Sequence, residues 1–253
     1  MPAMKRGQEL QLVPGADTAI LFIHGILGTP DQFRPFLQLV PSNWTLCNIL
    51  LKGHCGSVRD FSSASMAEWK RQVHETLREL QLSHDRVIIA AHSMGALFAI
   101  QEAVEVPVEE LFLLNAPLRV HLTVRLLKIV WGVFRGNISP DDDWMLAAQN
   151  AYGVERDSHI LRYLSWIPRY VELFSEIRKT RKIAPELTVK SRLYYSARDE
   201  MVSIGFGGMF ENNACVTVKA LDSSGHVYYS PEDLRFLQNE FGDMVQRYRD
   251  EPA

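Results

Sequence analysis

Cysteine is scarce in this chain, and the scarcity is informative. Cys47, Cys55 and Cys215 are an odd number without paired spacing among 253 residues. They read as reduced thiols of a reducing compartment, not as a disulfide frame, and the expected location is cytoplasmic. No CxxC or HExxH occurs, and the eight histidines, at 24, 54, 74, 84, 92, 121, 159 and 226, never pair at metal-ligand spacing on one helix face, so no metal site is expected. Long hydrophobic runs are missing too. Nothing approaches the roughly 20 apolar residues of a membrane span. The first residues carry Lys5 and Arg6 and then turn polar without an apolar stretch, so no signal peptide is expected. Charge of either sign is not in excess: 27 Lys and Arg against 30 Asp and Glu leave −3, no electrostatic footprint for nucleic acid. With 15 Gly and 12 Pro the collagenous and low-complexity classes drop out.

What is present is an ordinary globular composition, 47% hydrophobic and 23% charged. The length suits one large domain or a domain with an insertion, burying about three quarters of its extended surface. Short apolar runs at 19–23, 44–51, 87–91 and 111–114 look like strands buried on both faces. Helical patterns separate them. The clearest spans Met66 to Leu82, with Trp69, Val73, Leu77 and Leu80 on one face. Strand alternating with helix implies an α/β fold with a mostly parallel central sheet flanked by helices.

The alternation stops at Pro117. Residues 118–187 carry helical patterns, three of the five tryptophans (131, 144, 166) and a breaker-rich middle at 136–140, before strand-like runs resume at 187–196 and 214–221. This divides the chain into a core, 1–117 with 188–253, and an inserted helical block, 118–187. Asp141-Asp-Asp143 reads as a solvated helix start, and Ser230-Pro231-Glu232-Asp233 as the N-cap and first turn of a closing helix.

The sharpest chemical signal is Ala91-His-Ser-Met-Gly95, where a strand runs through Ser93 into an apolar helix. Strand and helix approach closely at such a turn, so the residues two before and two after the serine must be small, as Ala91 and Gly95 are. A serine hydroxyl needs a base to take its proton and a third group to orient that base. His226 lies in the loop after a later strand and is the candidate base; His24 and His92 are weaker rivals. Asp199, at the carboxyl end of a strand, is the candidate acid, with Asp222 and Glu200 as alternatives. Cys55 has no cationic cluster beside it in sequence and is not taken as a nucleophile.

These residues resemble the α/β-hydrolase superfamily, and within it the small carboxylesterases and monoacylglycerol lipase-like serine hydrolases. The resemblance rests on Phe22-Ile-His-Gly-Ile-Leu-Gly28, Leu51-Lys-Gly-His-Cys-Gly-Ser57, Ala91 to Gly95, Asp199 and Gly225-His226, in that order along nearly the whole chain. It implies an α/β-hydrolase fold in which the 118–187 insertion is a cap over the site. It also implies Ser93 as nucleophile, His226 as base, Asp199 as acid, and the backbone amides of Ile26 and Met94 as an oxyanion hole. His24 and His54 take structural positions; Cys55 departs from the glycine usual at its place.

The expected activity is hydrolysis of a small-molecule carboxylic ester of small to medium acyl chain, including monoacylglycerol-type lipids, with no cofactor. The same three residues could serve an acyltransferase, a thioesterase or a carbon-carbon bond hydrolase, and the fold could serve a non-catalytic ligand receptor. Val120, Val124, Leu127, Trp131 and Phe134 are spaced as one helical face opposite His121, Arg125, Lys128 and Arg135. That face is expected first to pack on the body of the protein, and alternatively, with Trp131, to wall a pocket for an acyl chain whose basic rim makes weak contact with a lipid surface. The sequence leaves the oligomeric state open.

Overall fold

The computed structural model of the protein describes residues 7–121, 123–135, 141–203, 205 and 207–250. Seven strands form one sheet: β1 (Glu9–Gln11), β2 (Thr18–Ile23), β3 (Thr45–Ile49), β4 (Arg86–His92), β5 (Glu110–Leu114), β6 (Lys190–Ser196) and β7 (Val216–Leu221), in the order β1-β3-β2-β4-β5-β6-β7. All pairs are parallel except β1 with β3. The sheet is therefore the mostly parallel one expected, with an added edge strand. β1 escapes a reading of periodicity because its three residues are all exposed. The later strands start further along than their apolar runs do, since a 3-10 turn at Ala184–Glu186 precedes β6.

Both faces are covered, which is why the central strands are apolar without alternation. In β2, Ala19, Leu21 and Ile23 join one core cluster while Ile20 and Phe22 join the other. The first cluster takes in the helices α2 (Val58–Ser63), α3 (Met66–Ser83) and α4 (Met94–Glu105). The second takes in the one-turn α1 (Arg34–Leu37) and the C-terminal α8 (Pro231–Asp250). The stripe foreseen on α3 is buried throughout, and Ser65 caps the helix by accepting the Glu68 amide at 3.2 Å. Each such fully buried side chain contributes about 1.5–3 kcal/mol.

Between β5 and β6 run α5 (Val124–Arg135), α6 (Asp143–Ala151) and α7 (Ile167–Ile183). Asp142 caps α6 by accepting the amides of Trp144 and Met145, as the acidic run foretold. α7 is tied to the core through Glu176, buried and bonded to Lys70 at 3.0 Å, Lys179 at 2.6 Å and Gln101 at 3.1 Å. One expectation fails here. Val120 is not on the helix but pairs with Val202 as an isolated antiparallel bridge, and Val124 and Leu127 of α5 face outward, 70% and 65% exposed. The inward stripe is Leu126, Ile129 and Val130, with Trp131 at its edge. Apolar residues occupy every side of α5 except that of Arg125 and Lys128, so the apolar face is wider than the single stripe expected and its inward part lies on Leu126, Ile129 and Val130. The side chains of Phe134 and Arg135 and the breaker segment 136–140 lie outside the described residues. Among the described residues no helix is long and apolar enough to cross a membrane.

Candidate active site

Strand order reverses beside β2, because the chain steps from β2 out to β3 and then back past β2 to β4. The crevice outside the carboxyl ends of the strands at such a reversal is where open α/β sheets bind ligands. The loops leaving β2 to β5 carry four residues that depart from ordinary backbone. Leu27, Cys55, Ser93 and Asn115 all have positive φ, between 48° and 60°, although none is glycine. Such conformations cost of order 1–3 kcal/mol each and persist only where the surroundings enforce them.

At Ser93 (φ 52°, ψ −122°) the surroundings can be named. Its amide donates to the Leu114 carbonyl at 2.9 Å, and its carbonyl accepts the Ala96 amide at 2.9 Å. A Cβ at Gly95 would lie 2.3 Å from the Ile23 carbonyl oxygen, and one at Gly25 would lie 2.9 Å from Ser93 Cβ. Glycine is thus a packing requirement at both positions. Ser93 precedes α4, whose first amides have no partner within the helix. The Met94 amide is one of them.

The side chains expected to act together are together. His226 Nε2 lies 2.9 Å from Ser93 Oγ, and His226 Nδ1 lies 2.8 Å from Asp199 Oδ2. With Nδ1–H donating to the carboxylate, Nε2 is left to accept the serine proton. All three residues are buried. Asp199 Oδ1 accepts the amides of Met201 and Val202, each at 2.7 Å, so the carboxylate is fixed at both oxygens. Burial alone raises a carboxyl pKa. The His226 charge, its hydrogen bond and the two amides outweigh that, and Asp199 is held below the usual range. Burial likewise pushes the His226 imidazole down, but the Asp199 charge and hydrogen bond, with Glu200 added, bring it above its ordinary value. Asp222 is exposed and takes no part. Glu200 does: its Oε2 accepts the His226 backbone amide at 3.1 Å, and burial raises its pKa.

The rival histidines are structural. His24 is buried, donates from Nδ1 to the Gly25 carbonyl at 2.9 Å and accepts the Leu51 amide on Nε2 at 3.1 Å. Burial lowers its pKa to about 4, so it stays neutral and braces the loop. His54 packs edge-on against it, ring centroids 4.7 Å apart. His92 turns away from Ser93 and donates from Nε2 to the His226 carbonyl at 2.8 Å; burial, then the His226 charge, lowers its pKa to about 3. It is a brace for the histidine loop.

Three supports were not foreseen. Asn115 donates from Nδ2 to the carbonyls of His226 at 3.0 Å and Gly225 at 3.2 Å, and accepts the Ser196 amide on Oδ1 at 2.9 Å. A polar residue closing the apolar β5, of a type that tolerates positive φ, was the available signal. Asp233 accepts from the Ser223 amide and the Ser224 hydroxyl at 2.9 and 2.6 Å, so the first turn of α8 also secures the histidine loop. Trp144 closes over Gly225, where a Cβ would come within 2.0 Å of its ring, and the Arg125 guanidinium lies 4.5 Å from the Trp144 ring centroid.

Ser93 and His226 open onto a cavity of about 440 Å³ whose walls include Ile26, Leu126, Ile129, Val130, Trp131 and Tyr170. Trp166 also reaches this cavity while its Nε1 donates to the Val58 carbonyl at 3.2 Å, whereas Trp144 packs on the histidine loop instead. Ile26 lies in the cavity wall beside Ser93, and Met94 directly follows Ser93 in the chain. A hydroxyl, an imidazole and a carboxylate in line beside an apolar chamber form an arrangement that can activate the hydroxyl for attack on an acyl carbon. Among the described residues no three His, Cys, Asp or Glu side chains are grouped to hold a metal ion.

Residues 20–236 match the profile described as "Alpha/beta hydrolase family". A thermostable monoacylglycerol lipase of Bacillus sp. (strain H-257) is 27% identical over 90 residues, 35% of this chain. The chain thus spans 36% of the length of that curated relative. Among solved structures, one reported with LipS and LipT, two metagenome-derived lipolytic enzymes, superposes with a TM-score of 0.71 at 17% identity, covering 96% of this chain and 98% of that one. A Paleococcus ferrophilus monoacylglycerol lipase gives 0.67 at 13% identity, covering 97% and 100%.

Proposed function

The chain belongs to the alpha/beta hydrolase family, and we propose that it is a serine hydrolase of carboxylic esters acting through an acyl-enzyme. The observation that carries this reading is the hydrogen-bonded line Ser93–His226–Asp199 at the mouth of an apolar chamber. Ser93 Oγ attacks the ester carbonyl carbon while His226 Nε2 takes the hydroxyl proton, and Asp199 holds the imidazole in the required tautomer. The amides of Ile26 and Met94 stabilise the negative charge on the carbonyl oxygen, each worth about 3–4 kcal/mol. The tetrahedral species then expels the alkoxide, which receives the proton from His226. Water deacylates the serine by the same steps, His226 now deprotonating the water. Every step uses groups of this chain, so the mechanism calls for no cofactor.

In this reading 1–117 and 188–253 are the catalytic core, and 118–187 is a cap that selects the acyl group. The apolar walls supplied by Leu126, Ile129, Val130 and Trp131 favour small to medium acyl chains, monoacylglycerol-type lipids among them. Weak contact with a lipid surface is supported by one stripe of α7: Ile167, Val171 and Phe174 are 50–63% exposed and are followed at the same spacing by Arg178 and Arg181. Three cysteines outside any disulfide fit a reducing compartment such as the cytoplasm.

The test is hydrolysis of p-nitrophenyl esters from acetate to palmitate by wild type and Ser93→Ala, with fluorophosphonate labelling in parallel. Turnover and labelling that both disappear in the variant support the reading, and the chain-length optimum measures the chamber. Labelling without ester turnover indicates a thioester, amide, carbon-carbon or acyl-transfer substrate. With a folded protein that neither labels nor turns over, the proposal fails and the ligand-receptor reading is favoured instead.

A further inference from the structure

Leu27 and Cys55, two of the four non-glycine residues in the left-handed region, lie in separate loops, yet both are hydrogen-bonded to a single residue of the inserted segment. Gly153 donates its amide to the Leu27 carbonyl at 2.7 Å and accepts the Cys55 amide on its own carbonyl, while Glu155 donates to the Gly56 carbonyl at 2.8 Å. Residues 153–155 thereby form a strut between the loop after β2 and the loop after β3. No side chain fits in it: a Cβ at Gly153 would lie 2.4 Å from Thr29 Cγ2 and 2.5 Å from the Gly28 carbonyl oxygen. One of those contacts is backbone and cannot rotate away.

We infer that Gly153 is a positioning residue for the oxyanion hole, holding Leu27 in its left-handed conformation and so aiming the adjoining Ile26 amide at the reacting oxygen. The inference rests on the serine-hydrolase reading. The loop by itself is under-determined. A leucine at φ 57° is disfavoured, and the turn closed by the Gly28 amide on the Gly25 carbonyl, at 3.0 Å, fixes the ends of the loop but not the carbonyl of Leu27. That carbonyl is held by Gly153. Since Gly153 follows α6, the hole is set only when this part of the cap is seated on the core. Seating of the cap and competence for acyl transfer are thereby linked through one backbone hydrogen bond.

The test is Gly153→Ala in the full chain. Because loss of one oxyanion donor lowers turnover by about 10²–10³, kcat for a short p-nitrophenyl ester should fall by that factor while KM changes little. Affinity for an alkyl boronic acid, whose tetrahedral adduct places an oxygen in the hole, should fall in parallel, and affinity for the fatty-acid product should not. The double variant Gly153→Ala/Leu27→Gly supplies the control against simple misfolding. Glycine occupies the left-handed region freely, so at least tenfold of the lost kcat should return. Unchanged kcat and boronate affinity in the folded fraction, or a double variant no better than the single, would overturn the inference. A wild-type protein without turnover or labelling would instead defeat the hydrolase reading, which keeps the two failures apart.

Discussion

The two ends of the same parallel strands are built on opposite rules. At the amino ends, Glu110 of β5 is fully buried and saturated: Arg192 at 2.6 Å, Arg247 at 3.0 Å and the Tyr248 hydroxyl at 2.8 Å all donate to it. Glu240 extends the network through Tyr194 at 2.7 Å and Lys219 at 2.8 Å, locking α8 onto β6 and β7. At the carboxyl ends, Asp199 is as deeply buried but is paired with an imidazole that can take up and release a proton. The backbone there is strained at Leu27, Cys55, Ser93 and Asn115, each just beyond one of the four central parallel strands. At one end a buried carboxylate is saturated by fixed cationic donors and a hydroxyl. A titratable partner and stored strain at the other give an arrangement able to react.

The comparison predicts that stability and activity separate by end. Ser93→Ala should lower ester turnover by about 10⁴-fold or more, as loss of the nucleophile does in serine hydrolases, and leave the thermal midpoint nearly unchanged. Glu110→Ala, which leaves the half-buried guanidinium groups of Arg192 and Arg247 and the Tyr248 hydroxyl without their acceptor, should cost about 1–3 kcal/mol in denaturant unfolding. The kcat per folded molecule should stay the same. A Glu110 variant that remains stable yet loses kcat would abolish the distinction.

A third prediction concerns Asn115→Ala. Among the described residues the His226 carbonyl would keep His92 as its one donor, and a displacement of the imidazole by about 1 Å costs roughly 10²-fold in kcat. KM and the preference among acyl-chain lengths should be little affected. The pH profile sharpens the same point. The base must be neutral to act, and the pKa of His226 is raised by its carboxylate partners, so kcat/KM should fall as pH drops with a midpoint above the ordinary histidine value of about 6.5. Asp199→Asn should remove that upward shift and move the acid limb to lower pH along with a loss of rate. The smallest effect is expected at the cap: Trp131→Ala should alter kcat/KM for long acyl esters by about tenfold or less and leave acetate esters alone.

The residues that announce themselves in sequence are those whose role is fixed by local chain geometry. Ser93 is legible because a strand, a tight turn and a helix must pass close together, which dictates Ala91 and Gly95. His226 and Asp199 are legible because each closes a strand and follows Ser93 in a telling order. The fold was legible for the same reason, from apolar runs of strand length separated by amphipathic helices. What stays hidden depends on register between distant segments. Asn115 meets Gly225 and His226 across 110 and 111 positions, and Gly153 meets Leu27 and Cys55 through backbone atoms that carry no side-chain signature. The wall of the chamber was misplaced by one helical stripe because the apolar face of α5 is broad enough to hold two stripes opposite Arg125 and Lys128, and β1 was missed because an exposed three-residue edge strand carries no periodic signal.

The central claim is that reactivity resides in Ser93 and is conferred by His226 from the carboxyl end of the sheet. Its most direct test is fluorophosphonate labelling followed by peptide mapping of wild type, His226→Ala and Glu110→Gln at equal folded concentration. The account predicts a single modified peptide carrying Ser93, labelling slowed by orders of magnitude in His226→Ala, and wild-type labelling in Glu110→Gln. Label on any other residue, or equal labelling rates in wild type and His226→Ala, would contradict it.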